Sequence, residues 1–111
     1  MSSPIPRRLL PHFATVDRYS GMSKSGPIYG GSVELECIRI EPVKQNALSS
    51  LGDAKNDRFL LFIDSKNSRP VGFIPAIKDR VTFQGQAMVV RTITPFYGSG
   101  SSVHHYEVRL A

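Results

Sequence analysis

The residues with the most chemical reach in this chain are three histidines, one cysteine and a scatter of carboxylates. His104 and His105 stand side by side, and Glu107 follows two positions after His105. In an extended strand adjacent side chains point to opposite faces, so these two imidazoles do not readily hold one metal ion. His12 is far away in sequence, and a three-histidine site would need the fold to bring it in. The same alternation sets Glu107 on the face of His105, where a structural hydrogen bond is expected. Cys37 lies in an apolar, strand-like run and reads as a buried, inert thiol; alone, it forms no internal disulfide. No serine sits in a Gly-x-Ser-x-Gly elbow, and Ser99, between Gly98 and Gly100, resembles a linker loop. Gly30-Gly31 follows no strand-to-helix pattern, so neither a P-loop nor a dinucleotide fingerprint is present. Asp53, Asp57, Asp64 and Asp79 would pair only if the fold placed them together. The residues therefore point to no catalytic site, no metal and no cofactor, and the protein is expected not to be an enzyme.

The charge is more informative by distribution than by sum. The net charge is +5. Arg7, Arg8, Arg18 and Lys24 against Asp17 put +3 of it before residue 27, leaving +2 for the rest. Basic residues in the body, such as Arg39, Arg91 and Arg109, are spaced singly among apolar ones, which reads as solvated strand faces rather than a nucleic-acid groove. Phe96, Tyr97 and Tyr29 lie near loops and are the aromatic candidates for stacking or interface contacts. An oligonucleotide-binding barrel is the alternative that the basic pI and the fold class support.

The elements that position these residues are strands. The 111 residues, 41% hydrophobic and 21% charged, fit one soluble domain over 1–111. No apolar run reaches the ~18 residues a membrane helix needs. Met1 to Pro11 lacks the apolar core of a signal peptide, so it reads as a flexible, basic N-terminal arm, and assembly in a reducing cytoplasm is expected. Gly, Pro and Ser together number 30 and separate short β-branched and aromatic runs. Strands are predicted at 12–18, 28–41, 58–64, 79–84, 87–94 and 103–111, with a tight turn at Gly85-Gln86 and a long loop from Pro95 to Ser102. Val33, Leu35 and Cys37 share one side of the second strand; Ile38 and Ile40 then switch phase, which predicts a bulge at Cys37–Ile38. The apolar run in 58–64 reads as a strand buried on both faces.

The expected core is Phe13, Val33, Leu35, Phe59, Leu61, Phe62, Ile63, Val81, Phe83, Val89, Tyr106, Val108 and Leu110. About six mainly antiparallel strands with long loops predict an all-β fold, a small barrel or a sandwich. Between the second and third strands, residues 44–57 break the pattern. A connection this long in a compact domain is usually functional or disordered. Lys44, Gln45, Asn46, Ser49, Ser50, Gly52, Asp53, Lys55, Asn56 and Asp57 are the candidates there for a mobile assembly or gating loop. Its charges cancel, which favours a gate or subunit contact over a phosphate clamp. Arg7, Arg8, Phe96 and Tyr97 are the further interface candidates.

Three local patterns, taken in order, resemble a known family. The first is Ile5-Pro6-Arg7-Arg8-Leu9-Leu10-Pro11-His12. The second is Leu61-Phe62-Ile63-Asp64 followed by Asn67-Ser68-Arg69-Pro70. The third runs from Asp79-Arg80-Val81-Thr82-Phe83-Gln84-Gly85 through Thr94-Pro95-Phe96-Tyr97 to Val103-His104-His105-Tyr106-Glu107-Val108-Arg109-Leu110. Together they resemble the minor capsid or head–tail joining proteins of tailed bacteriophages and prophages with long non-contractile tails. Lys78 departs from the pattern, where a glycine is expected before Asp79, and the departure touches turn geometry.

The resemblance implies a head-closure protein, or stopper: a small β-barrel that joins the connector below the portal after DNA packaging, in a ring of about twelve copies. Its implied partners are the connector, adaptor or portal ring above and the tail terminator or tail proteins below. It also implies contact with packaged DNA, a place in the virion neck, and no membrane.

Overall fold

The computed structural model describes residues 3–43 and 57–111. A 3-10 turn at Arg7–Leu9 precedes six strands: β1 (His12–Ser23), β2 (Gly26–Pro42), β3 (Phe59–Asp64), β4 (Arg80–Phe83), β5 (Gln86–Tyr97) and β6 (Val103–Leu110). The strands close into an antiparallel barrel in the order β1-β2-β3-β6-β5-β4, with β4 pairing back onto β1 through Thr15–Asp17. The expected all-β class holds, and closure selects the barrel over the sandwich. Pairing β4 with β1 removes the open edges that a six-stranded sheet would otherwise expose.

The interior is filled by one face of each strand. Ala14 and Val16, Leu35, Ile38 and Ile40, Leu61 and Ile63, Val81 and Phe83, Met88 and Val90, and Val108 and Leu110 are all buried and form one cluster. Val33, Phe59, Phe73, Ile93 and Tyr106 pack against it while partly covered. Three expected core residues, Phe13, Val89 and Phe62, point outward. Phe13 is 71% exposed, because it faces Glu36 on the outer side while Ala14 turns in. Val89 is exposed because Met88 and Val90 hold the inner positions of β5. The strand at 59–64 is not buried on both faces: Leu61 and Ile63 point in and Phe62 points out, since a barrel has a single interior. Phe62 is half covered, in a groove shared with Ile5, Leu9, Leu10 and Arg39.

The predicted phase switch is present. His12 pairs with Ile38 and Phe13 with Glu36, which leaves Cys37 as the extra residue of a bulge with φ +56°. Cys37 is therefore half-buried rather than buried, and its carbonyl accepts the hydroxyl proton of Ser68. The β4–β5 turn lies one residue earlier than expected. Gln84 and Gly85 both have positive φ, as a two-residue turn matching the strand twist requires. The loop after β5 is shorter than expected, because the strand runs through Phe96 and Tyr97.

Two buried carboxylates organise the connections. Asp64 accepts the backbone N–H groups of Ile5, Lys66 and Asn67, and Asn67 Nδ2 donates to the carbonyl of Ile5. Residues 3–11, read from sequence as a flexible arm, are thereby seated on the barrel, with Leu10 buried. Asp79 accepts the N–H of Ala76 and of Tyr19 and pairs with Arg18, which pins the strandless stretch 71–79 against β1.

Candidate functional site

The base of the long β2–β3 connection is built at one end of the barrel. Val43 N–H donates to the Arg58 carbonyl and Arg58 N–H donates to the Leu110 carbonyl, so the chain leaves and re-enters through a paired frame. The Arg58 guanidinium reaches the Ala87 carbonyl at 3.1 Å. Asp57, placed by sequence in the connection, is buried beneath it. Its carboxylate lies 3.1 Å from Arg91 and 3.5 Å from Arg109. Arg91 reaches it because β5 bulges there: Val90 pairs with Leu110 and Thr92 with Arg109, leaving Arg91 unmatched in the ladder. Lys44, Gln45, Asn46, Ser49, Ser50, Gly52, Asp53, Lys55 and Asn56 lie outside the described residues.

The opposite end carries the projections. β2 pairs with β3 only through Ile38–Pro42, so the β1–β2 hairpin runs on past the end of β3 to its turn at Ser23–Gly26. Met22 and Ile28 are exposed near this tip. Phe96 and Tyr97 end β5 on the same side; Tyr97 is 59% exposed. Phe96 lies flat on His105, ring centroids 5.0 Å apart and planes 3° from parallel. Arg7 and Arg8 are exposed on the 3-10 turn of the seated N-terminal segment. The aromatic candidates for base stacking are partly occupied from within: Arg80 covers the ring of Tyr29 at 4.2 Å, and His105 covers Phe96.

His104 and His105 do not diverge as strand alternation predicts. Phe96 pairs with His105 and Tyr97 with Val103, so His104 is the extra residue of a second β5–β6 bulge. The bulge turns its ring toward its neighbour, and the two Nδ1 atoms stand 3.0 Å apart. His105 Nε2 lies 3.0 Å from Glu107 Oε2, the contact the sequence suggested. His104 Nε2 lies 2.6 Å from the Ser3 carbonyl oxygen, a link across 101 positions that no local pattern signals. Asp17, on the barrel wall, is held below the ordinary carboxylate range by the Ser32 hydroxyl first and by Arg80 second.

Among the described residues no helix is long and apolar enough to cross a membrane, and no group of three or more His, Cys, Asp or Glu is arranged to hold a metal. A family model described as minor capsid protein matches residues 6–110. No curated protein matches the chain at a significant level.

Proposed function

The chain belongs to the minor capsid protein family, a bacteriophage structural family, and on that premise we propose that it is the head-closure protein of the virion neck. In this reading about twelve copies form a ring through repeated head-to-tail contacts. The ring sits below the portal, connector or adaptor, retains the packaged DNA, and offers the platform on which the tail terminator or tail proteins dock.

The observation that carries the reading is the construction of the β2–β3 base. A closed barrel fixes both ends of the connection through Val43, Asp57 and Arg58. The residues that flank 44–56 are thus held in a rigid frame, which is how a small domain presents a long segment to a channel or a neighbouring subunit. Exposed apolar side chains at the other end, Met22, Ile28 and Tyr97, supply contact area for a ring neighbour or a tail protein.

The test replaces residues 46–55 with a short glycine linker in the phage genome. Loop closure depends weakly on length, so the barrel is expected to fold normally. Particles are expected to leak DNA or to fail to join tails. Fully infectious, DNA-retaining particles would remove the gating role. A phage lacking the protein entirely is expected to package DNA into heads that remain tailless. Normal tail attachment in that strain would move the protein out of the neck.

A further inference from the structure

The link between Ser3 and β6 has an unusual proton requirement. Three hydrogen bonds run in series: Ser3 carbonyl to His104 Nε2 at 2.6 Å, His104 Nδ1 to His105 Nδ1 at 3.0 Å, and His105 Nε2 to Glu107 Oε2 at 3.0 Å. A carbonyl oxygen only accepts, so His104 Nε2 carries a hydrogen. The bond to Glu107 needs one hydrogen, and so does the bond between the two Nδ1 atoms. Two neutral imidazoles hold two N–H groups in total, and a carboxylate holds none. Three bonds need three protons, one more than that set supplies.

We propose that this relay is a proton-operated latch that seats Ser3 and Pro4 on the barrel. With the extra proton, one imidazolium is balanced by the Glu107 carboxylate and every bond is made. Without it, the charge-assisted bond to Glu107 holds the His105 hydrogen on Nε2 rather than Nδ1, and two nitrogen lone pairs then face each other at 3.0 Å. His104 then relieves the clash only by giving up Ser3 or turning from His105. Gaining the proton closes the latch and losing it opens the latch, so a lower pH favours the closed form.

The surroundings hold the rings in place without replacing the proton. Phe96 from β5 stacks on His105, and Phe62 from β3 packs beside it at 6.2 Å. Asp64, opposite His105 on β3, spends its carboxylate on backbone N–H groups. Lys66 lines the same cavity as His104 and adds positive charge on that side. Arg109, next on the outer face of β6, is turned to Asp57. Thr94, opposite Glu107 on β5, is uncharged. Ile5 is tied separately by Asp64 and Asn67, through bonds that need no histidine proton. The latch therefore governs Ser3 and Pro4, and Ile5 is the internal reference.

The test is carbon-detected NMR relaxation of the full-length protein at pH 5 and pH 8. Ser3 is expected to be ordered at pH 5 and to lose that order at pH 8, while Ile5 stays ordered at both. Glu107→Gln offers an amide N–H to His105 Nε2, so two neutral imidazoles then satisfy all three bonds. In this variant Ser3 is expected to stay ordered at both pH values. His105→Phe keeps an aromatic ring against Phe96 and leaves His104 free to serve Ser3 as a neutral donor, with the same expected outcome. Equal order at Ser3 in the wild type at both pH values would overturn the latch. So would a pH-dependent loss that persists in Glu107→Gln, which keeps the shape of the site should His105→Phe fold poorly.

Discussion

Arg91 Nη1 stands 3.1 Å from Asp57 Oδ1, and the aspartate side chain is 3% exposed while the guanidinium is 36% exposed. The pair forms where β5 bulges, and it sits directly under the frame from which residues 44–56 depart. Losing one partner of a buried pair leaves a charge without compensation, and fully buried cases cost about 3–5 kcal/mol. Here both arginines keep about a third of their surface in water, which screens the loss. Asp57→Ala is therefore expected to lower unfolding stability by about 1–3 kcal/mol. A urea midpoint equal to that of the wild type would show that the frame does not depend on the ion pair.

Lys78 has φ +80°, in the region that favours glycine. Its N–H donates to the Val90 carbonyl, and its ammonium lies 5.4 Å from the centre of the Tyr19 ring. A left-handed conformation costs a non-glycine residue about 1–2 kcal/mol. An exposed cation–π contact returns about 0.5–1 kcal/mol. Lys78→Gly is expected to stabilise the protein slightly, by up to about 1 kcal/mol, and thermal unfolding checks the sign. Lys78→Ala, which loses the contact and keeps the strain, is expected to destabilise.

Leu61 and Phe13 separate interior from surface. Leu61 is fully buried at the centre of β3, so Leu61→Ala is expected to cost about 2–5 kcal/mol. Phe13 is the larger residue but faces out, and Phe13→Ala is expected to change stability by less than about 0.5 kcal/mol. Equilibrium denaturation of the two variants side by side is the measurement. A comparable loss in both would mean that Phe13 is covered in solution.

Asp17 ties acid stability to β1, β2 and β4 at once. Its Oδ1 accepts the Ser32 hydroxyl at 2.6 Å, and Arg80 reaches Oδ2 at 2.9 Å. These contacts hold its pKa below the ordinary value of 3.8. A depressed carboxylate stabilises the folded state fully above its unfolded value and loses that contribution as the pH falls through its folded value. Asp17→Asn is expected to flatten the stability profile below about pH 4. Denaturant midpoints for wild type and variant between pH 2 and pH 5 check this. Parallel profiles would assign acid loss to other groups.

Much of the barrel was legible in the order of residues. Alternation placed Leu35, Val81, Val108 and Leu110 inside, and the structure buries all four. The change of phase after Cys37 marked a bulge, because an apolar pattern that shifts parity must be absorbed by one extra residue. The glycine that the family resemblance implies before Asp79 fits the positive φ that Lys78 adopts there. Phe13 and Val89 misled, because large apolar side chains occur on both faces of a strand and hydrophobicity alone does not set which face is inner. The contacts that seat residues 3–11 were not legible for another reason: the groups that make them, Asp64, Asn67 and His104, lie far along the chain.

The bulges at Arg91 and His104 were decided only in three dimensions. A bulge is a mismatch between two strands, and a single strand shows one only when its own pattern breaks, as at Cys37. Around His104 the pattern runs on undisturbed; around Arg91 the inner positions shift from Met88 and Val90 to Ile93, but the apolar Val89 beside them hides the change, and the extra residue becomes plain only against the pairing of β5 with β6. Those two mismatches turn Arg91 onto Asp57 and His104 onto His105. The residue types were in the sequence from the start; their meeting depended on strand register, which closure of the barrel imposes on all six strands together.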